Sequence, residues 1–221
     1  MRKPYVVMIS EVTVDGKLTL KKGVSSKIIM SLMDEAADKF LHEERAKSDA
    51  IMVGCNTIKI DNPMLTVRYI EGKNPIRVVP CGKADLSHDS NIFGNDAPTI
   101  IATSESAPRA NIEKIRERGV KVIVVGDKEV DLKLLLNELY SMGIKRLIIE
   151  GGPTIAWNML KSKLIDAIKL IHMPFIVGGS DTPSLIGGDG VGELKRVIHT
   201  ELTDYFMCGN HLITEYKVIY E

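Results

Sequence analysis

Short apolar runs alternate with longer stretches of helical spacing along most of the chain. Residues 6–9, 50–53, 76–79, 99–102, 120–125 and 146–149 read as buried strands, most of them bounded by Gly, Pro or Asn. Between them, residues 29–46 hold Ile29, Leu32, Met33, Ala36, Ala37, Phe40 and Leu41 at helical spacing without Gly or Pro, which predicts one amphipathic helix. Further helices are expected over 110–118, 132–142 and 154–160, the first two stopped by Gly119 and Gly143. Asp15-Gly16 marks a turn, and 56–66 reads as a polar loop. An apolar run over 167–177 predicts a strand with an edge or kink at Pro174. Six glycines within 178–192 predict a loop that could act as a lid. The tail, 196–206 and 211–220, reads as two strands joined at Gly209-Asn210.

Strands alternating with helices imply βαβ units. The expected fold is therefore α/β: three layers, a mixed and mainly parallel sheet, and a C-terminal antiparallel hairpin. No linker or repeat divides the sequence, so residues 1–221 are expected to form a single domain.

Charge narrows the function. Lys plus Arg total 29 and Asp plus Glu total 29, so the net charge is zero. That argues against a nucleic-acid-binding surface and a polybasic membrane binder. The apolar N-terminal run is too short for a signal-peptide core or a membrane span. Cys55, Cys81 and Cys208 form no C-x-x-C pair and are read as free thiols, which suits a reducing cytoplasm.

Ligands of open α/β sheets bind beyond the carboxyl ends of strands. The segments there are Gly54-Cys55-Asn56-Thr57, Pro80-Cys81-Gly82-Lys83, Gly126-Asp127 and Glu150-Gly151-Gly152-Pro153-Thr154. In the last, two glycines open a helix whose free N–H groups and dipole suit a pyrophosphate, although by itself the segment reads first as a plain strand–helix turn, common in α/β folds. No G-x-G-x-x-G follows a strand, and no P-loop, G-x-S-x-G elbow or histidine pair at metal-ligand spacing occurs. His42 and Arg45 share a helix face and are read as solvated. Trp157 is expected to pack against the sheet.

The segments taken in order are more specific than any one alone. Thr13-x-Asp15-Gly16-Lys17 comes first. His42-x-x-Arg45-Ala46-x-x-Asp49 follows, and then Gly54-x-x-Thr57-x-x-x-Asp61-Asn62-Pro63-x-Leu65-Thr66-x-Arg68. Asn74-Pro75-x-Arg77-Val78-Val79 and Glu150-Gly151-Gly152-Pro153-Thr154 complete the series. The series resembles the reductase domain of the riboflavin-biosynthesis deaminase–reductases. With no deaminase segment ahead of it, the chain resembles the stand-alone archaeal and fungal type.

The resemblance implies a dihydrofolate-reductase-like fold, a homodimer and a nicotinamide hydride donor, NADPH, with NADH left open. It implies an oxidoreductase that converts the ribosylamino side chain of a diaminopyrimidinone 5′-phosphate to the ribitylamino form. It implies cofactor contacts at Gly54, Thr57, Asp61, Cys81, Gly82, Lys83, Gly126, Gly151, Gly152, Pro153 and Thr154. Substrate contacts are implied at Lys17, Arg45, Asp61, Arg68 and Glu150, with Arg45 and Arg68 suited to a phosphate. Lys17 and Glu150 become the catalytic candidates, for hydroxyl binding or proton delivery. A pterin reductase and an inactive nucleotide-binding relative are the alternatives.

Two departures stand out. The family's Val-Asp-Ser/Thr-Lys pattern after the third strand is here Pro80-Cys81-Gly82-Lys83. Its Trp-Ile-Ser pattern is missing between Lys17 and His42, where Ser25, Ser26 or Ser31 could supply the hydroxyl.

Overall fold

A computed structural model describes residues 2–220. The chain divides into two compact units, one of Met1–Tyr5 with His42–Ile148, the other of Val6–Leu41 with Ile149–Glu221.

The first unit holds the strands β2 (Ala50–Met52), β3 (Ile76–Pro80), β4 (Thr99–Thr103), β5 (Lys121–Val124) and β6 (Arg146–Ile149), whose last residue falls to the other unit. Their order is β5-β4-β3-β2-β6, and β2 through β5 pair in parallel. Every residue of β4 is buried, as expected of a strand covered on both faces, whereas the edge strand β5 is only half covered. Helices α3 (Cys55–Asp61), α4 (Arg109–Arg116) and α5 (Leu132–Ser141) connect these strands. In α5, Asp131 caps the first turn by accepting from the Lys133 and Leu134 amides at 2.9 and 3.0 Å, and Leu135, Leu136 and Leu139 enter the core.

The second unit holds β1 (Tyr5–Thr13), β7 (Ala167–Met173), β8 (His199–Cys208) and β9 (His211–Ile219), with α1 (Lys27–Met30) and α6 (Pro153–Lys161). Strand order is β1-β7-β9-β8, with β1 and β7 parallel and β7-β9-β8 antiparallel. The mixed α/β architecture and the terminal hairpin match the sequence reading. Val6–Ile9 core residues, Ile29, Met159, Ile171 and Ile213 are each almost fully buried.

Four expectations need correction. The single helix over 29–46 is two: α1, then α2 (Glu35–Ala46). Asp34 causes the break by accepting the Ala37 amide at 2.9 Å, so the spacing-matched Leu32 is left exposed. The polar loop over 56–66 begins instead with helix α3, which runs from Gly54 in extended conformation to Asn62 in the left-handed one. Strand β7 stops at Met173, because Pro174 has no N–H to continue the ladder. Residues 196–198 precede β8, as a turn over Leu194–Arg196 takes them out of the sheet.

Candidate active site

In the first unit, the carboxyl ends of β2, β3, β4 and β5 carry the sequence-nominated loops. Thr57 is half-buried in the first turn of α3, where its amide bonds to Gly54 O at 3.0 Å. Asp61, also half-buried, ends α3. Beyond it, Asn62 binds both the amide and the side chain of Asn91 at 2.7 Å. Arg77, fully buried, then fixes the following residues. Its Nε donates to Met64 O at 3.0 Å, and Nη1 donates to Ile92 O, Gly94 O and Ala97 O. One guanidinium thus donates to four backbone carbonyls, and Ile92 O also accepts from Thr99 Oγ1.

Cys55 and Cys81 are joined by a disulfide with Cα atoms 5.0 Å apart. This corrects the reading of three free thiols; Cys208 stands outside this disulfide. The pair was invisible in sequence because 26 residues separate the two positions, and only parallel pairing of β2 with β3 brings them together. Cys81 is buried, whereas Gly82 is half-buried and Lys83 exposed.

Those two residues join a serine cluster missed in the sequence reading. Gly82 O accepts from Thr103 Oγ1 and Ser104 Oγ, both at 2.9 Å. Lys83 Nζ, on the surface, donates to Ser106 Oγ at 3.1 Å. Ser104 and Ser106 donate to Lys128 O, beyond Gly126. Gly126 itself has φ +90°, and a Cβ there would strike Glu129 O, so a glycine is required by the turn alone.

His42 and Arg45 are buried, against the expectation that both are solvated. The segment 66–69 covers them: Arg45 Nη1 donates to Thr66 O at 3.0 Å, and His42 Nδ1 accepts the Arg68 amide at 2.9 Å. Tyr69 packs edge-on against the imidazole, 4.7 Å between centroids. Burial, then the charges of Arg45 and Arg68, push the His42 pKa down to about 3. The other ring nitrogen, Nε2, lies 3.3 Å from Arg45 Nη1, so N–H groups face the ring on both sides and favour its neutral form. Arg68 itself points outward, its Nη1 donating to Thr66 Oγ1 at 3.2 Å. The structure therefore brings Arg45 and Arg68 to the same short segment.

In the second unit, Lys17 closes the turn after β1. Its amide donates to Thr13 Oγ1 at 2.8 Å, and Thr13 Oγ1 donates to Asp15 at 2.6 Å. That bond, with the amides of Gly178 and Val177, lowers the Asp15 pKa to about 2. Lys17 Nζ donates to Thr182 O at 3.4 Å. Glu150 is half-buried at the end of β6. Gly151 and Gly152 follow with φ +116° and +91°, and α6 opens at Pro153 with no side chain capping it. Uncapped N–H groups behind two glycines suit a phosphate, so the chain fits the dinucleotide that the sequence reading places at Gly151, Gly152, Pro153 and Thr154.

The glycine-rich segment is a strap here. Leu18 donates to Pro183 O, Leu185 to Gly16 O and Gly187 to Pro153 O, each at 3.0–3.1 Å. It therefore touches the Lys17 turn and the start of α6. Trp157 packs against this strap, its indole N–H donating to Asp189. A Cβ on Gly188 would fall within the indole ring.

The model of the RibD C-terminal domain matches residues 4–214. This chain belongs to the RibD C-terminal domain family. It is 54% identical over 220 residues to an Aquifex aeolicus protein named 2,5-diamino-6-ribosylamino-4(3H)-pyrimidinone 5′-phosphate reductase, covering 99% of this chain and 98% of that one. A Methanothermobacter thermautotrophicus protein of the same name is 39% identical over 219 residues, with 98% and 99% covered. Among solved structures, RibD of Acinetobacter baumannii superposes with a TM-score of 0.83 at 21% identity, covering 98% of this chain, which spans 58% of that longer one. Schistosoma mansoni dihydrofolate reductase reaches a TM-score of 0.50 at 13% identity, covering 99% of this chain and all of that one, which supports the expected fold.

Proposed function

We propose that this protein is the NADPH-dependent reductase acting on 2,5-diamino-6-ribosylamino-4(3H)-pyrimidinone 5′-phosphate in riboflavin biosynthesis. The observation that carries the proposal is the end-to-end 54% identity with a relative of that name. We read both units as parts of one reductase domain, since the matching family model spans them.

The nicotinamide, when bound, supplies a hydride to the sugar carbon bonded to the exocyclic nitrogen; the nitrogen gains a proton. The chain's own residues bind and orient. In the first unit, Gly54, Thr57, Gly82, Lys83 and Gly126 are assigned to the cofactor, and Lys83 beside Ser106 gives a cation and a hydroxyl suited to the extra phosphate of NADPH. Asp61 is assigned to a sugar hydroxyl and Arg68 to the 5′-phosphate. Arg45 acts behind Arg68, because its bond to Thr66 O sets the segment from which Arg68 reaches out. In the second unit, Gly151 to Thr154 hold pyrophosphate, and Lys17 and Glu150 contact substrate or deliver the proton.

The same reading makes the enzyme a cytoplasmic homodimer. Strand β8 supports the dimer: Leu202, Tyr205 and Met207 are all exposed on it. Among the described residues, no helix is long and apolar enough to cross a membrane.

The test mixes purified protein, NADPH and the ribosylamino-pyrimidine phosphate, and follows loss of NADPH absorbance. Oxidation with that substrate and none with dihydrofolate is expected. Turnover of dihydrofolate alone would overturn the assignment, and binding without turnover of either would point to an inactive relative.

A further inference from the structure

The cysteine pair stands among the residues assigned to cofactor. Cys55 is the first residue of α3 and directly follows Gly54; Cys81 directly precedes Gly82 and Lys83. A covalent bond between them fixes the start of α3 against the end of β3. Asp85 lies against both sulfurs, its Oδ1 3.4 Å from Cys81 Sγ and 4.0 Å from Cys55 Sγ. A disulfide has no S–H to offer that carboxylate, whereas two thiols do. Lys59 holds the carboxylate in place at 2.6 Å. The bonded pair therefore has an acceptor beside it that thiols can use once the bond is broken.

We propose that Cys55–Cys81 is a reversible redox modification site that sets the affinity for the nicotinamide cofactor, an inference that rests on the cofactor assignment above. Reduction by a small dithiol follows ordinary exchange. Its thiolate attacks the half-buried Cys55 sulfur, the S–S bond breaks, and Cys81 leaves and takes a proton. The reductant's second thiol then displaces Cys55 as a thiol, and the reductant ends as its own disulfide. Two electrons and two protons pass to the protein. Oxidation by a low-molecular-weight disulfide reverses the exchange and releases two small thiols. In the bonded state the flanking Thr57 and Gly82 segments are held at a fixed separation. In the thiol state that restraint is lost, and the cofactor must order them on binding.

Thiols are counted on the denatured, unreduced protein, and NADPH affinity is measured by fluorescence titration before and after dithiol treatment. One thiol per chain is expected without reductant, from Cys208, and three after reduction, from the three cysteines of the sequence. NADPH should bind about 3- to 10-fold more weakly to the reduced protein and to Cys55→Ser. Reoxidation should restore the affinity of wild type and leave Cys55→Ser unchanged. Cys208→Ser should respond to reductant as wild type does. Three thiols in the protein oxidised with excess disulfide would overturn the proposal. So would equal NADPH affinity in both redox states, or a stoichiometric metal on the two sulfurs. Failure of NADPH to bind either state would overturn the cofactor assignment and the coupling, while the thiol count would still decide whether the bond forms.

Discussion

His42 shows how a residue changes meaning once its surroundings are known. Its spacing to Arg45 was legible, because residues three apart share a helix face. Its burial was not, because the covering segment lies 26 residues further on in sequence. The buried ring is neutral, with a folded pKa of about 3 against an ordinary 6.5. Between those values the unfolded chain takes up a proton that the folded chain refuses. Stability from this site is therefore complete above about pH 6.5 and is lost as pH falls below it. Thermal melts from about pH 7 down to about pH 4 should show a steeper decline for wild type than for His42→Asn, whose amide oxygen still accepts the Arg68 amide. Parallel declines would mean that His42 is not the titrating group. Arg68, facing outward on the same segment, should behave differently. Arg68→Ala is expected to raise the substrate KM by the equivalent of about 1.5–3 kcal/mol while leaving NADPH affinity nearly intact. Collapse of NADPH binding would remove Arg68 from the substrate phosphate.

At the scale of elements, the strands were read well because each is a short apolar run with a turn residue beside it. Helix α3 escaped notice. Its residues Cys55–Asp61 are mostly polar, only Ile58 is buried, and Gly54 gives no side-chain cap to signal its start. The division between α1 and α2 escaped for the opposite reason: apolar spacing carries on through 31–34, and the stop comes from a single carboxylate. Asp34 accepts the Ala37 and Asn210 amides at 2.9 and 2.8 Å, which lowers its pKa, Asn210 contributing most. Asp34→Ala should cost roughly 0.5–2 kcal/mol, read as a lower denaturation midpoint. The loss should fade in acid, because a carboxylate with a lowered pKa stabilises above its ordinary range and stops doing so once protonated. An unchanged midpoint at neutral pH would show that the cap contributes nothing.

For the whole molecule, alternation of strand and helix was enough to reach the fold class, and the terminal hairpin followed from Gly209-Asn210. What the linear pattern did not carry was attachment between distant segments. The glycines over 178–192 predict a loop that could act as a lid, yet backbone bonds from 183–187 to the Lys17 turn and to Pro153 hold it in place. Candidate residues were legible as a set only through the ordered series of motifs; the partners that position them, Thr66, Arg77, Ser104 and Ser106, come from the three-dimensional arrangement. The assembly gives a further test. Tyr205 and Met207 lie on β8, exposed by 68% and 64%. If β8 forms the proposed dimer contact, replacing both by Asp should halve the mass seen by light scattering and leave the far-ultraviolet spectrum intact, since charge on an apolar contact opposes its burial. An unaltered mass would take β8 out of the proposed dimer interface.

The indole of Trp157 against Gly188 has an evolutionary corollary. A methyl group at 188 has no room while the indole is present, and the backbone there, at φ +86°, resists any side chain. Position 188 is therefore closed while the indole is present, and the order matters: a smaller residue at 157 must arise before anything larger than glycine is accepted at 188. A double-mutant cycle measures this dependence directly. Gly188→Ala should destabilise wild type more than it destabilises Trp157→Leu, with a coupling of about 0.5–3 kcal/mol. Additive effects would mean that the two sites evolve independently.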